Sequence, residues 1–362
     1  MPETPISPNA VYSSIPTVQI DGQFDDKVTA QLLSMEMREC EGGMSSLELH
    51  FSNFGSFADG LADFVFEDGA ILKLGAEVKV YGGDVSSPTE VFRGKITGLE
   101  ERFPSNGPPD LVVLAEDSLQ GARMKQRSKN WDSTTLADIV QQVANNLGLT
   151  LVVDGLSQSV GSQQQFHESD LHFLRRLLSR YDADLQIVGT ELHASPRAQA
   201  QRNTIELDMN SQLREVRILA DLSHQVSQVT ATGWDYQQGQ TISATSQTTA
   251  FGAGAGKSGK NWLEQALVQR SVHLGQFAAL DNSDAQALVD AEFAQRIRRF
   301  VVAHGVAEGN PNLRVGSNLK LGGLGPRFSN TYYATATVHR FDTNTGYQTE
   351  FTAECAYLGG AS

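Results

Sequence analysis

Three stretches of the sequence carry residue types at spacings that could bind a phosphate, hold a metal or cleave a bond. Gly252-Ala-Gly-Ala-Gly-Lys-Ser-Gly has the composition of a phosphate-binding loop. That chemistry needs a glycine five residues before Gly256, where Phe251 stands, and a loop that leaves a hydrophobic strand and enters a helix N-terminus. The preceding Ile242-Ser-Ala-Thr-Ser-Gln-Thr-Thr-Ala is no apolar buried strand, so a nucleotide site is not expected. His167-Glu-Ser-Asp-Leu-His172 resembles a zinc-protease helix, but its histidines are five apart instead of four. On a helix they diverge by about 140° and cannot share one metal. His224, His273, His304 and His339 stand alone, with no Gly-x-Ser-x-Gly elbow and no carboxylate pair to complete them. No catalytic, metal or cofactor-binding residue is assigned, and no cofactor is expected. A dispersed catalytic site is what one sequence leaves open, and it keeps a β-rich hydrolase as the alternative reading.

The elements that would position such residues come in two kinds. Up to about residue 120 the chain reads as strands: Thr29–Cys40 and Ser46–Ser52, then Glu77–Tyr81, Val91–Leu99 and Leu111–Ala115. Phe103-Pro-Ser-Asn-Gly-Pro-Pro-Asp is a turn between two of them, because its prolines cannot donate to a ladder. Short strands at this spacing predict a small barrel or sandwich. Helical periodicity then takes over in Asp132–Gly148, with a capping Ser/Thr and a glycine stop, and in Glu168–Tyr181, acidic at its start and basic toward its end. Strands at Thr150–Asp154, Asp184–Val188 and Glu191–Ala194 complete a small α+β unit over about 121–203. Leu213–Leu219 and Gln225–Trp234 read as strands again, the Gln/Thr/Ser/Gly tract from Gln237 to Lys260 reads as a mobile loop, and residues 240–260 of it are expected to order only against a partner. Ser283–Phe300 is the longest helical pattern, and strands resume to the end.

Composition narrows the function classes. With 362 residues, 40% of them hydrophobic and 19% charged, the chain fits two or three packed domains. No apolar run approaches the roughly 20 residues of a bilayer-spanning helix, and the start MPETPISPNA has neither a basic nor an apolar signal region, so no stable membrane anchor is expected. Cys40 and Cys355 cannot form a disulfide framework or a zinc site between them, and both read as structural residues of a protein in a reducing compartment. Most of the net charge of −14 lies in residues 1–120, where 20 Asp/Glu face 7 Lys/Arg. Such a surface repels phosphate backbones, so no specific nucleic-acid recognition is expected there. The excess acid, Asp59, Asp63, Glu67 and Asp68 included, is expected to face a channel or a rim that contacts a partner.

One internal echo organises the chain. Gly75-Ala-Glu-Val-Lys-Val-Tyr-Gly-Gly followed by Phe92-Arg-Gly-Lys-Ile-Thr-Gly-Leu is similar to Gly316-Ser-Asn-Leu-Lys-Leu-Gly-Gly followed by Tyr332-Tyr-Ala-Thr-Ala-Thr-Val-His. A turn and one more strand follow each copy, Leu111–Glu116 in one and Thr349–Glu354 in the other. Two related β-domains flanking the α+β unit would produce this pattern.

Two longer stretches resemble a known family. Gln164-Gln-Phe-His-Glu-Ser-Asp-Leu-His-Phe-Leu-Arg-Arg-Leu is similar to a Q-x-x-E-S-D-x-x-F-L-x-R-L helix entrance. Gly309–Phe351 resembles a G-x-P-x-L-x-x-G-x-x-V-x-L-x-G-L-G-x-x-F-x-G-x-Y run with a later G-Y-x-T-x-F, Asn330 standing where that pattern often has glycine. Both patterns are those of the hub proteins of contractile tails and injection systems, which these stretches resemble: the phage late-control protein D group, the phage T4 baseplate hub and the N-terminal part of type VI secretion spike proteins. The resemblance implies a β-rich α+β fold of two similar tube-like β-barrels, at 1–120 and 204–362, flanking the α+β domain at 121–203. The second barrel would be interrupted by a loop and helix at about 237–305. It implies a non-enzymatic structural hub, a homotrimer whose two barrels per chain match a hexameric inner tube on one side and a trimeric spike on the other. Other baseplate proteins and cargo in the lumen are further implied partners. The site of synthesis would be the bacterial cytoplasm, and the destination the baseplate of a phage tail or phage-tail-like particle. Since the sequence stops at Leu358-Gly-Gly-Ala-Ser, the spike is expected to be a separate protein.

Overall fold

Period-two burial dominates the molecule. In Ser46–Ser52, for example, Leu47, Leu49 and Phe51 are buried while Glu48 and His50 face outward. The computed structural model describes residues 12–56, 62–67, 69–84, 87–132, 134–200, 202–235, 238–247, 251–275 and 279–359.

The first β-unit comprises β1 (Tyr12–Ile20), β2 (Gln23–Phe24), α1 (Asp26–Gln31), β3 (Leu32–Cys40), β4 (Ser46–Ser52), β5 (Phe54–Ser56), β6 (Ala62–Phe64), β7 (Glu77–Asp84), β8 (Thr89–Arg102) and β9 (Asp110–Glu116). Thr29–Gln31, expected to open a strand, instead end α1, where the Asp25 side chain accepts a hydrogen bond from the Lys27 N–H. An α+β unit follows with α2 (Gln120–Arg123), β10 (Gln126–Trp131), α3 (Leu136–Leu147), β11 (Thr150–Val153), β12 (Gln163–Ser169), α4 (Asp170–Arg180), β13 (Ala183–Val188) and β14 (Glu191–Pro196). Thr135 and Asp138 form a capping box at the start of α3, and Gly148 closes it in a left-handed conformation.

The second β-unit begins with β15 (Thr204–Asp208) and β16 (Leu213–Ala220). An insertion then brings β17 (Gln228–Asp235), β18 (Gln240–Ser246), β19 (Lys257–Ser258), α5 (Gly259–Ala266), β20 (Ser271–Leu274) and α6 (Asn282–Arg298). The unit resumes with β21 (Val301–Glu308), β22 (Asn318–Gly322), α7 (Gly325–Phe328), β23 (Asn330–Asp342), β24 (Gly346–Cys355) and β25 (Tyr357–Leu358).

The insertion departs from the expected loop in two ways. β17 leaves the second β-unit to pair with β18 and β20 in a separate three-stranded sheet. Within the tract read as mobile, Gln240–Ser246 is a regular strand whose Ile242, Ala244 and Ser246 are buried. Small Ala and Ser side chains on the inward positions hid this alternation among polar residues. Val226, Val229, Ala231, Ile242 and Ala244 pack against Ala285, Val289, Phe293 and Ile297 of α6, which gives the insertion its own core. Among the described residues, no helix is long and apolar enough to cross a membrane.

The two β-units form one continuous 13-stranded sheet. Strand order is β3-β4-β9-β8-β7 in the first unit and β16-β21-β24-β23-β22 in the second, so five strands correspond in place, while beyond them β1 runs antiparallel to β7 and β15 parallel to β22. Gly75 donates to the Ile96 carbonyl at 2.8 Å, and Gly316 donates to the Ala334 carbonyl at 3.0 Å, at equivalent points. A bulge follows each, between Ile96 and Gly98 and between Ala334 and Ala336. Another pair of bulges matches, between Leu32 and Ser34 and between Leu213 and Glu215. The fold is a duplication. The first core lies under Met35, Met37, Leu47, Leu49, Phe51 and Val113, and the second under Phe300, Leu319, Leu321, Tyr332 and Phe351.

Candidate functional site

The two β-units meet where β23 changes partner. Its first residues pair with β22, and after the bulge Ala336–Asp342 pair with Cys40–Ser34 of β3. Opposite Thr337 stands Glu39, a buried carboxylate. Arg314 reaches it through Nε at 2.8 Å and Nη2 at 3.1 Å, the Val315 N–H donates at 3.2 Å, and Arg202 Nη1 lies 3.5 Å away. Burial pushes this carboxyl upward, but the two guanidinium groups and the N–H outweigh it and hold Glu39 at about 2.

The Gly309–Ser317 segment is shaped to deliver Arg314. The Asn310 N–H donates to Thr349 Oγ1 at 3.0 Å, the Arg314 N–H donates to Ser317 Oγ at 3.2 Å, and Leu313 and Val315 are fully buried. Tyr347 packs against Gly309, where a Cβ would lie 2.4 Å from its ring, and its hydroxyl is 2.7 Å from Nδ1 of the buried His339. Burial and the neighbouring Arg314 push His339 down to about 3, so it is a neutral residue of the joint.

A second ionic group sits beside the first. Arg197 follows β14 and places Nη2 2.9 Å from Glu354 and Nε 2.5 Å from Glu41, the latter as an ion contact without hydrogen-bond alignment. Burial raises Glu41 to about 7, and Arg197 only partly opposes this. The helix-entrance motif serves the same joint. Ser169 caps α4, Gln165 Nε2 donates to Asp170 Oδ1 at 2.8 Å, and Arg175 donates to the carbonyls of Gly42 and Gly43 at 2.8 and 2.6 Å. Both motif runs therefore encode the fastening of the α+β unit and the second β-unit onto the β3–β4 turn. The α+β unit also holds the insertion, through Tyr181 to Asp284 at 2.8 Å and an ion pair between Asp182 and Arg298.

On the face of the large sheet turned away from both cores, side chains alternate in charge. Arg38 and Arg340 both contact Glu36, and Arg340 Nε lies 2.7 Å from Glu350. Neighbouring strands add Glu48 with His50 at 2.6 Å and Glu100 with Arg102 at 2.8 Å. This face crosses the joint without interruption, because Arg340 of the second unit stands opposite Glu36 of the first. It is a broad polar surface.

The residues singled out in the sequence fall elsewhere. His167, in a left-handed conformation at the end of β12, and His172 on α4 are both exposed. The glycine-rich loop leads into α5, where Ser258 accepts from the Asn261 N–H as a cap and Lys257 lies over the Trp262 ring at 4.4 Å. Gly256 is required by packing, since a Cβ there would lie 1.6 Å from the Gly359 carbonyl oxygen. Cys40 is exposed and Cys355 buried, both as free thiols. Asp63 and Glu67 are exposed on and just after the β5–β6 hairpin, while Asp59 and Asp68 lie outside the described residues. A cleft of about 590 Å³ between the units is lined by Asp84, Arg214, Glu308, Pro311 and Tyr347 among others, and by no histidine. Among the described residues no group of three or more His, Cys, Asp or Glu is gathered as a metal site would need. Sequence reasoning missed the Glu39, Arg314 and Arg202 cluster, and Arg314 lay inside a motif that could have pointed to it.

Comparison with solved structures identifies the fold. The 43 kDa tail protein of prophage MuSo2 from Shewanella oneidensis is similar over 94% of this chain and 97% of its own, with a TM-score of 0.67 at 12% identity. A tail protein of Neisseria meningitidis MC58 is similar over 94% and 96%, with a TM-score of 0.64 at 10% identity. The Escherichia coli c3393 protein, a type VI secretion component described as similar to the T4 tail proteins gp27 and gp5, is similar over 95% and 79%, with a TM-score of 0.55 at 12% identity. The chain thus has the β-rich fold of phage tail and injection-system proteins. A search of the curated proteins found no match. One family model, described as the Alg8 N-terminal domain, matches residues 44–343, and with most of its length matched the chain belongs to that family.

Proposed function

We propose that this protein is the structural hub of a contractile tail or injection system, a homotrimer that adapts a hexameric inner tube to a trimeric spike. The observation that carries the reading is the duplication: two β-units of the same strand order and the same bulges share one sheet. Three such chains present six β-units to a sixfold tube while keeping threefold symmetry for a spike, which is the conversion an adaptor needs. The role is non-enzymatic, and the charged sheet face serves as a wall or contact surface. Assembly takes place in the bacterial cytoplasm and ends in the baseplate of a tail-like particle. The notion of a hydrolase with a dispersed site gains nothing from the cleft between the units, which offers carboxylates but no histidine to activate a nucleophile.

Native mass spectrometry of the purified chain, followed by electron microscopy with its tube protein, tests the proposal. A three-copy mass and a ring of six β-units capping the tube are expected. A chain that stays single at micromolar concentration and leaves tube ends bare would overturn it.

A further inference from the structure

Each β-unit carries the same joint surface, but only one joint is made inside the chain. In the second unit, β23 after its bulge is covered by β3, and Thr337 there is 1% exposed. In the first unit, β8 after its bulge pairs only with β9, and among the described residues no strand covers Thr97–Arg102 on the other side. Leu99, the structural equivalent of Thr337, is 39% exposed as a result, and Phe103 just beyond the strand is 68% exposed. The complementary surface is also vacant once. β3 is covered by β23, whereas among the described residues its equivalent β16 ends the sheet with only β21 beside it, and Leu219 on it is 54% exposed. Open strand edges of this kind invite pairing with another chain.

The internal joint supplies the register. Equivalent partners within each unit align Leu99 with Thr337, through Val113 and Phe351, and Met37 with Ile218, through Leu47 and Ala303. Inside the chain Thr337 faces Glu39 and His339 faces Met37. We infer that the free edge of β8 in one copy pairs antiparallel with the free edge of β16 in the next copy, with Leu99 opposite Ala220, Glu100 opposite Leu219 and Glu101 opposite Ile218. A buried ionic joint is replaced there by an apolar one, since Val216, Ile218 and Ala220 are half-buried against the second core and present their remaining surface to Leu99 and Phe103. In this register Arg102 falls opposite Arg217, with Glu100 and Glu101 next to Arg102 along the same strand, so the joint is carried by its apolar side chains and backbone pairing and not by charge. The contact is head-to-tail, so it closes into a ring or runs on as a filament. The inference rests on the homotrimer of the proposed function, for which it names the contact.

Cysteine cross-linking of the full chain tests the register. Directly opposed residues of an antiparallel pair have Cα atoms about 4.5–5.5 Å apart, within the range a disulfide spans. In a Cys40→Ser background, Glu100→Cys with Leu219→Cys should give reducible two- and three-chain species on oxidation. Glu100→Cys with Glu215→Cys, displaced by four residues, should stay at least tenfold less linked. A three-copy mass without links from the first pair, or equal linking by both pairs, would overturn the register and leave the hub intact. A single-copy mass with no links would overturn both. A ladder running past three chains would uphold the edge pairing and overturn the closed trimer.

Discussion

The first and second β-units share strand order and bulge positions, yet they fill the same frame with different side chains. Leu49 beside Val113 in the first unit corresponds to Gly305 beside Phe351 in the second. The Phe351 ring lies where a Gly305 side chain would be, 2.5 Å from an added Cβ, so one large residue does the work of two medium ones. The connection between the second and third strands differs more. In the first unit it is the turn 41–45, and in the second it is the whole insertion from 221 to 300. At the joint the first unit places Glu39, and the second places Ala220 at the equivalent position. Backbone hydrogen bonding therefore defines the frame, while packing volume and charge decide which edge is closed within the chain and which is left for a neighbour.

Breaking the ionic joint should have the largest effect. Glu39→Ala strands Arg314 and Arg202 in a buried site, and a loss of about 3–5 kcal/mol in denaturant unfolding is expected. Ala220→Glu, the same exchange in reverse at the open edge, should cost less than about 1 kcal/mol in the single chain. Equal losses would mean that the two positions are not distinguished in the way described. Next in size is a pH effect confined to the first unit's turn. Glu41, with Arg197, Asp184, Glu354 and Arg298 around it, has its carboxyl raised from 4.5 to about 7. The folded chain then holds a proton that the unfolded chain releases, so stability should fall as pH rises from about 4.5 to about 7, by at most about 3 kcal/mol. Glu41→Gln should flatten that slope, whereas Glu39, held at about 2, contributes stability that is lost only as pH falls below 4.5. An unchanged slope in the Gln variant would remove Glu41 from the account. The smallest effect sharpens the volume exchange. Gly305→Leu and Phe351→Val should each destabilise, and the double variant should recover about 1–2 kcal/mol relative to their sum. Strict additivity would show that the two sites do not share space.

Much of this frame was legible from the chain alone. The echo placed Gly75 against Gly316 correctly, because each glycine adopts a left-handed conformation ahead of its hairpin, with φ of 84° and 88°. Beyond the loop the echo slipped by two residues, matching Phe92 with Tyr332 where the ladder puts Gly94. The loops differ in content, α7 standing in only one of them, and sequence spacing cannot see that. The helices α3, α4 and α6 were readable from caps and apolar period, while β10 was not, since five of its six residues are polar. The ionic joint was least legible. Glu39 and Arg314 are 275 positions apart, and nothing local to either announces a buried charge.

Phe341 and Tyr347, both from the final hairpin, belong to the core of the first β-unit. A nascent chain therefore emerges with its earliest strands made but their interior unfinished, and it stays so until synthesis has passed residue 347. N-terminal folding cannot run far ahead of translation, and a prematurely terminated product lacks the residues that seal its opening third. Fragments cut off early thus arrive as exposed, degradable polypeptide, and only chains that include the final hairpin reach the competent state.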